Sequence, residues 1–509
     1  MKLARTKNAV RNIVWGMIYR IVTLVGPFAV KTILILVMGL EYSGLNSLFT
    51  SILTVLNLAN LGFSSSLVYT MYRAAVDEDN DRLCATLNYF RNAYRVVGLV
   101  ILVLGASLMP FLPKLVKGDV PPDVNLYILF GIYLIETAMS YLMFGYNSAI
   151  FETYQRNDIT LKISTVRYLG QYVLQCVVLV VLKNYYAYIV ILPLAVLVNN
   201  LLTYASARKL YPQLTCRGKL DKRTRQGIRQ RVASLFGHKV GSTVLVSVDS
   251  MIISAFLGLR ELSIYSNYNY ILTAVNGLVE IFTNASIAGI GNKLITDTEQ
   301  ENYSVFRTLT YGWLTLISGA AVCMMCFYQP FIGGVWLGEN YLMDIRIVIL
   351  IVLYFYSWMF RIMQLTYRDA AGLWTKDWLK PYVAIALNLG GSIAMVKMTG
   401  SVAGVLIPTI FVMLFVYFPW EAWVLFRYLF HRSWKDYIIQ VVSLSLLALV
   451  SCCASYGLCM WISPANTALS LVIRVVIVGI TFPTIWLLFT YKCPEFKQML
   501  GIARRFLKR

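Results

Sequence analysis

The chain has 509 residues, of which 58% are hydrophobic and only 14% charged, with a mean hydropathy of +0.66. A soluble protein of this length carries nearly twice that charged fraction, and no stretch between the apolar blocks is long enough to fold as a soluble domain. The net charge of +21 is spread over short loops between those blocks rather than gathered on one arm or face, which argues against a nucleic-acid partner and fits the topology signals of a membrane protein.

In chain order, Lys2, Arg5, Lys7 and Arg11 precede an apolar run at 13–38. That run is too long for a secretory leader core and lacks a small-residue cleavage site, so it reads as a first membrane helix behind a basic cytoplasmic segment. Further runs of the length needed to cross about 30 Å of hydrocarbon follow at 44–72, 92–112, 124–150, 163–182 and 187–207. The second half adds 232–257, 263–290, 306–328, 343–366, 380–397 and 402–426, and a last pair falls at 437–461 and 468–490. The expected fold is an all-α polytopic membrane protein of about fourteen spans. Its expected parts are an N-terminal bundle at 1–207, a basic cytoplasmic linker at 208–231, a C-terminal bundle at 232–430, and a helix pair with a basic cytoplasmic tail at 431–509.

Charge placement tests that count. With both termini inside, the loops and tails expected in the cytoplasm hold about 34 of the 45 Lys and Arg residues and the external loops about six. This is the bias that orients membrane proteins, and one helix too many or too few would scramble it. The linker is the most basic loop, with Arg217, Lys219, Lys222, Arg223, Arg225 and Arg229. It serves as a topology determinant, and an anionic leaflet attracts such a loop.

Chemistry-bearing motifs are sparse. Most of the nine cysteines fall inside apolar runs, where a cysteine acts as a small hydrophobe. Cys323 and Cys326 have redox-motif spacing without the βαβ context that supports it. No phosphate loop, metal-ligand cluster or nucleophile–base pair stands out, and His238 and His431 are the only histidines. No catalytic residue, metal or cofactor is therefore expected. External loops are short, the longest near 111–123 and 329–344, which disfavours a membrane glycosyltransferase or polymerase.

The two halves open alike. Residues 38–45 (MGLEYSGL) link the first two spans and 257–265 (LGLRELSIY) link the seventh and eighth; aligning Gly39 with Gly258 also aligns Ile52-Leu53 with Ile271-Leu272. Paired bundles of this kind are typical of transporters. With 56–63 (LNLANLGF), 69–72 (YTMY), 248–254 (VDSMIIS) and 265–268 (YSNY), the chain resembles the Wzx-type polysaccharide flippases of the multidrug/oligosaccharidyl-lipid/polysaccharide exporter superfamily. The resemblance covers the whole chain in length and span count, and its motifs identify the branch better than the cargo. It implies two six-helix bundles around a central cavity, and alternating access that moves a polyprenyl-pyrophosphate-linked oligosaccharide from the cytoplasmic to the outer leaflet. The lipid tail stays in the bilayer. It also implies a monomer in the bacterial inner membrane whose partners are that cargo, membrane lipids and polysaccharide polymerase machinery. The alternative within the superfamily is a multidrug or small-cation exporter, which favours an acidic cavity.

Ionisable residues inside spans cost roughly 2.5–3.5 kcal/mol each on insertion scales and tend to face a cavity or a partner. Arg20 and Lys31 lie on one face of the first span, on either side of Gly26-Pro27; they suit a passing pyrophosphate or snorkel to opposite interfaces. Arg361, near the cytoplasmic end of the tenth span, meets an entering pyrophosphate or anchors at the interface. Asn57, Asn60 and Asn276 are candidates for a polar lumen. Asp249, Glu280 and Glu136 are candidates for binding a coupling ion, with structural hydrogen bonding as the other reading. Arg474 is assigned to helix packing or lipid contact.

Overall fold

The computed structural model describes residues 5–57, 63–118 and 120–507. Helices run as α1 (Arg5–Val37), α2 (Leu40–Leu56), α3 (Phe63–Val76), α4 (Asn80–Leu108), α5 (Leu126–Leu142), α6 (Ser148–Thr153), α7 (Asn157–Val181), α8 (Tyr185–Leu210) and α9 (Lys222–Leu257). They continue as α10 (Leu259–Thr296), α11 (Glu299–Phe331), α12 (Ile345–Met359), α13 (Ile362–Ala370), α14 (Lys380–Thr399), α15 (Ala403–Val412) and α16 (Phe418–Tyr428). The last three are α17 (Lys435–Ile462), α18 (Ala468–Thr490) and α19 (Pro494–Leu507). Helices are the open-chain solution in lipid because every backbone donor finds its acceptor within the segment. Their ends fall at the expected loops, marked by side-chain caps: Asp79, Asn125, Asn184, Asp221, Asp344 and Thr467 each accept a first-turn backbone N–H. Thr298 and Glu301 close a reciprocal capping box on α11.

Among the described residues ten helices are long and apolar enough to cross a membrane, and α5 with the segment Gly145–Thr153, bent by 45°, supplies an eleventh. The bend sits where Phe144 takes a left-handed φ of 58° and a Cβ on Gly145 would meet the Ser140 carbonyl. Breaks in the helix also fall within the tenth and twelfth crossings. The tenth breaks between α12 and α13, where the Trp313 indole donates to the Met359 carbonyl at 2.7 Å. The twelfth passes from α15 to α16 through a π-helical turn, Met413–Tyr417.

The three remaining expected spans fall on α2–α3, α9 and α10, and loop contacts show where the described ends of these segments lie. The chain forms two compact units, Met1–Ser263 and Ile264–Arg509. In the first, odd-numbered loops meet one another: Tyr185 Oη donates to the Tyr42 carbonyl (3.0 Å), Asn125 N–H to Tyr186 Oη (2.6 Å) and Lys117 Nζ to the Phe256 carbonyl (2.6 Å). The even-numbered loops meet at the other end. There Asn12 bonds to the Gln155 carbonyl and the Asp158 N–H, Tyr154 stacks on Tyr211, and Arg217 pairs with Asp81 at 3.5 Å. In the second unit, Tyr268 bonds to Gln329 and Met343 at one end, while His431 with Glu299, Arg432 with Gln300 and Arg307 with Glu495 mark the other. Each of α2–α3, α9 and α10 joins one set of loops to the other.

Packing follows residue size. α1 lies on α7, where a Cβ on Gly26 would occupy the Tyr172 ring, and α1 continues as one helix through Pro27. The terminal pair is held to α11 by a buried cluster of Val322, Cys326, Cys459 and Val478. Cys326 is thus a core residue. Arg474 is 1% exposed and donates to the carbonyls of Ser463 (2.9 Å) and Cys326 (3.0 Å), which makes it a packing residue.

Candidate functional site

A large polar concavity lies within the first unit, at the end where the even-numbered loops meet. α3 contributes Tyr69, Tyr72 and Arg73, the turn into α4 contributes Asp77, Asp79, Asp81 and Arg82, and the linker with the start of α9 contributes Lys219, Asp221, Arg223 and Thr224. Its volume is about 1610 Å³, above the roughly 300–1,000 Å³ of small-molecule pockets.

Local sequence explains the walls. Asp79 caps α4 by accepting the Arg82 N–H at 2.9 Å, and Asp221 caps α9 by accepting the Thr224 N–H at 2.8 Å. The linker is laid onto α4: Asn88 donates to the Gly218 carbonyl at 2.8 Å, and Cys84 Sγ accepts the Thr215 N–H at 3.3 Å. Gly218 takes φ +79° against Ala85, a conformation and a clearance that favour glycine. Two helix N-termini therefore open on the chamber.

Four carboxylates and four cations line it. Hydrogen bonds from Thr224, side chain and backbone, hold the Asp221 carboxyl below its ordinary value, so it stays charged at neutral pH. The Arg73–Asp77 (4.0 Å) and Arg217–Asp81 (3.5 Å) pairs are exposed and worth at most about 1 kcal/mol. These side chains can exchange one another for a polar guest at little cost. Tyr69, 65% exposed, adds an apolar ring with a polar tip, the kind of surface on which a sugar face rests.

Of the nine residues selected from sequence, the seven whose side chains are described do not line this chamber. Arg20 is exposed on α1 and Lys31 is half-buried. Asn57 ends α2 and accepts a bond from Tyr141 Oη at 3.2 Å. Asn60 and the Glu280 side chain lie outside the described residues. Asn276 is half-buried on α10 and its Oδ1 makes no hydrogen bond among the described residues. Asp249 is 1% exposed on α9. Glu136 is half-buried on α5 and accepts a bond from Thr137 at 3.3 Å.

Arg361 occupies a second polar feature, inside the second unit. It sits at the break between α12 and α13, buried, with Nε 3.3 Å from Glu421 and its guanidinium 4.4 Å from the Tyr417 ring centre. Lys380 bridges Glu421 (2.8 Å) and Asp377 (2.7 Å), and Arg368 pairs with Asp377 (2.7 Å) and Asp369 (2.8 Å). The interrupted tenth and twelfth crossings are thus joined by a buried chain of alternating charges.

No protein-family model and no curated protein matches the sequence. Solved structures do. The lipid II flippase MurJ in an inward closed conformation superposes with a TM-score of 0.65 at 13% identity, covering 94% of this chain and 98% of that one. An inward-facing multidrug resistance MATE family transporter of the MOP superfamily gives 0.62 at 11%, covering 78% and 93%. The Vibrio cholerae MATE transporter VcmN gives 0.55 at 12%, covering 84% and 99%. The chain shares the fold of these solved structures. At these identities the likeness speaks for the fold, and the cargo has to be argued from the residues.

Sequence reasoning passed over the chamber's acidic rim, although 77–81 (DEDND) is the densest acidic run in a chain with 24 acidic residues. It also passed over Glu421, which lies within the expected span 402–426 and meets the same test that selected Glu136 and Glu280.

Proposed function

We propose that this protein is a flippase. It moves polyprenyl-pyrophosphate-linked oligosaccharide units from the cytoplasmic to the outer leaflet of a bacterial inner membrane by alternating access, for cell-surface polysaccharide synthesis. Both termini lie in the cytoplasm, and the two bundles, the linker at 208–231 and the terminal pair are its working parts. The observation that carries the reading is the chamber. Its size exceeds that of a drug-sized pocket, and its balanced charges with exposed tyrosines suit a large, hydroxyl-rich, anionic head better than a small organic cation, for which an unopposed acidic lining is the expected chemistry. Arg20 and Lys31 on α1 supply cations for the pyrophosphate, Asn57, Asn60 and Asn276 supply polar lining, and Asp249, Glu280 and Glu136 are the carboxylates available to a coupling ion. Arg361 acts through its bond to Glu421.

A second reading, multidrug export, is favoured by the fold likeness to the MATE transporters. Liposomes holding the purified protein separate the two. The flippase reading expects a labelled polyprenyl-pyrophosphate glycan to change leaflet, and expects Arg20→Glu and Tyr69→Ala to slow the transfer without loss of membrane insertion. Efflux of cationic dyes with no glycan transfer would transfer the assignment to the second reading.

A further inference from the structure

Two cavities in the second unit share one residue, Trp423. The first, about 510 Å³, lies between the end of α16 and the start of α17 and is lined by Trp423, Phe426, Arg427, His431, Arg432 and Trp434. The second, about 410 Å³, runs along the π-helical turn and the first turn of α16, lined by Phe415, Val416, Pro419, Trp420 and Trp423. One is cationic and sits where two membrane crossings, Ala403–Tyr428 and Lys435–Ile462, end. The other is apolar and extends along one of those crossings. A polar-headed, apolar-tailed molecule fits that order. We propose that the pair forms a binding site for an anionic phospholipid, its phosphate at Arg427 and Arg432 and an acyl chain along Phe415 and Trp420.

The cationic end is built rather than incidental. Arg432 is fixed by a 2.6 Å bond from Nη2 to Gln300 and by lying 4.2 Å from the Tyr303 ring centre, so its guanidinium is oriented before a ligand arrives. Its Nε is buried without a hydrogen-bond partner among the described residues. His431 adopts a left-handed φ of 44° and is held at 3.3 Å by Glu299, which removes that carboxylate from competition with a phosphate. The acidic group nearest in sequence is the exposed Asp436 in the first turn of α17. At the apolar end, the π-turn and Pro419 displace the regular helix surface and leave Phe415, 64% exposed, and Trp423, 45% exposed, facing lipid. Tryptophan is enriched at head-group depth, and basic pockets between crossings on the cytoplasmic side recognise anionic head groups. A soluble phosphate accounts for the arginines and leaves the adjoining apolar cleft unexplained.

Native mass spectrometry of the full-length protein, released from micelles containing equal phosphatidylglycerol and phosphatidylcholine of identical chains, tests this. Wild type is expected to retain one phosphatidylglycerol in preference to phosphatidylcholine. Arg427→Gln should weaken that preference about fivefold, the effect of one basic residue near an anionic surface, while Arg427→Lys preserves most of it. Trp420→Ala should lower retention of both lipids. Lys183→Gln, in the exposed turn between α7 and α8, should leave the preference unchanged. Equal retention of both lipids by wild type, or an unchanged preference in Arg427→Gln, would overturn the proposal; so would displacement of the lipid by millimolar inorganic phosphate, which would assign the site to phosphate alone.

Discussion

Replacing Lys380 by methionine perturbs the buried charge chain at its centre while keeping side-chain volume. Lys380, Asp377 and Glu421 have side chains 3%, 0% and 1% exposed, so solvent cannot take over the lost interaction. The Lys380 Nζ lies 2.7 Å from one carboxylate and 2.8 Å from the other, and its removal leaves two buried anions. Breaking a buried pair by deleting one partner costs about 3–5 kcal/mol. Here Asp377 keeps Arg368 at 2.7 Å and Glu421 keeps Arg361 at 3.3 Å, which places the expected loss at the lower end, about 3 kcal/mol. Glu421→Gln removes one of the stranded anions, so the double variant should recover part of that loss, with a coupling of about 1–3 kcal/mol. Detergent-titrated unfolding in mixed micelles, followed by tryptophan fluorescence, measures all four proteins. A Lys380→Met variant within about 1 kcal/mol of wild type, or strictly additive effects, would refute the view that these charges depend on one another.

The remaining expectations come from single contacts. Burial opposes charge on Asp377, but Lys380 and Arg368 outweigh it and hold the carboxyl below its ordinary value. Its contribution is therefore complete above the unfolded pKa of about 3.9 and lost as pH falls through the depressed folded value. Asp377→Asn should flatten the acid limb below pH ~4, and an unchanged limb would remove Asp377 as its source. A Cβ on Gly44 would meet the Leu259 carbonyl, so Gly44→Ala forces α2 away from the α9–α10 turn. The expected cost is about 1–3 kcal/mol, read by the same titration. Arg474→Leu leaves the buried Cys326 carbonyl without its arginine donor, at roughly 1–3 kcal/mol, while the Ser463 carbonyl keeps the Ser470 hydroxyl at 3.2 Å. Limited proteolysis should then cut first at the 463–467 turn, and cleavage elsewhere would contradict that role.

Element type was legible because lipid imposes a length and an apolar content that any chain must meet. The expected crossing at 468–490 coincides with α18, that at 163–182 overruns α7 by one residue, and that at 92–112 runs from α4 into the 3-10 turn Met109–Leu115. The less apolar crossings were harder. α9 begins with the basic run from Lys222 and α10 carries Glu280 and Lys293, so the expected runs at 232–257 and 263–290 cover only part of each helix. The π-helical turn at Met413–Tyr417 was invisible because no residue there signals an altered hydrogen-bond register, and Pro419 lies beyond it. Site residues were least legible. Interior charge was the search rule; it found Arg361 and also applies to Glu421, but it could not pair them. Glu421 is 60 positions away and Lys380 opens the next crossing, so only the folded chain places them within one ion-pair distance of each other.

That difficulty has a physical root. A basic residue at the end of a crossing satisfies the topology rule wherever its side chain points, so one count serves residues with unlike environments. Lys219 and Arg223 line an open chamber with aspartates for neighbours. Lys380 is buried between two carboxylates. Arg427 is exposed beside tryptophans at the end of a crossing. The desolvation each suffers differs accordingly, and with it the partner each can accept: an exchangeable polar guest, a fixed internal anion, or a lipid phosphate. Replacing each in turn by glutamine separates the three, because the chamber cations should affect transport, Lys380 stability, and Arg427 lipid preference. A single variant that moved all three readouts together would mean that the positive charges act as one field rather than as three local sites.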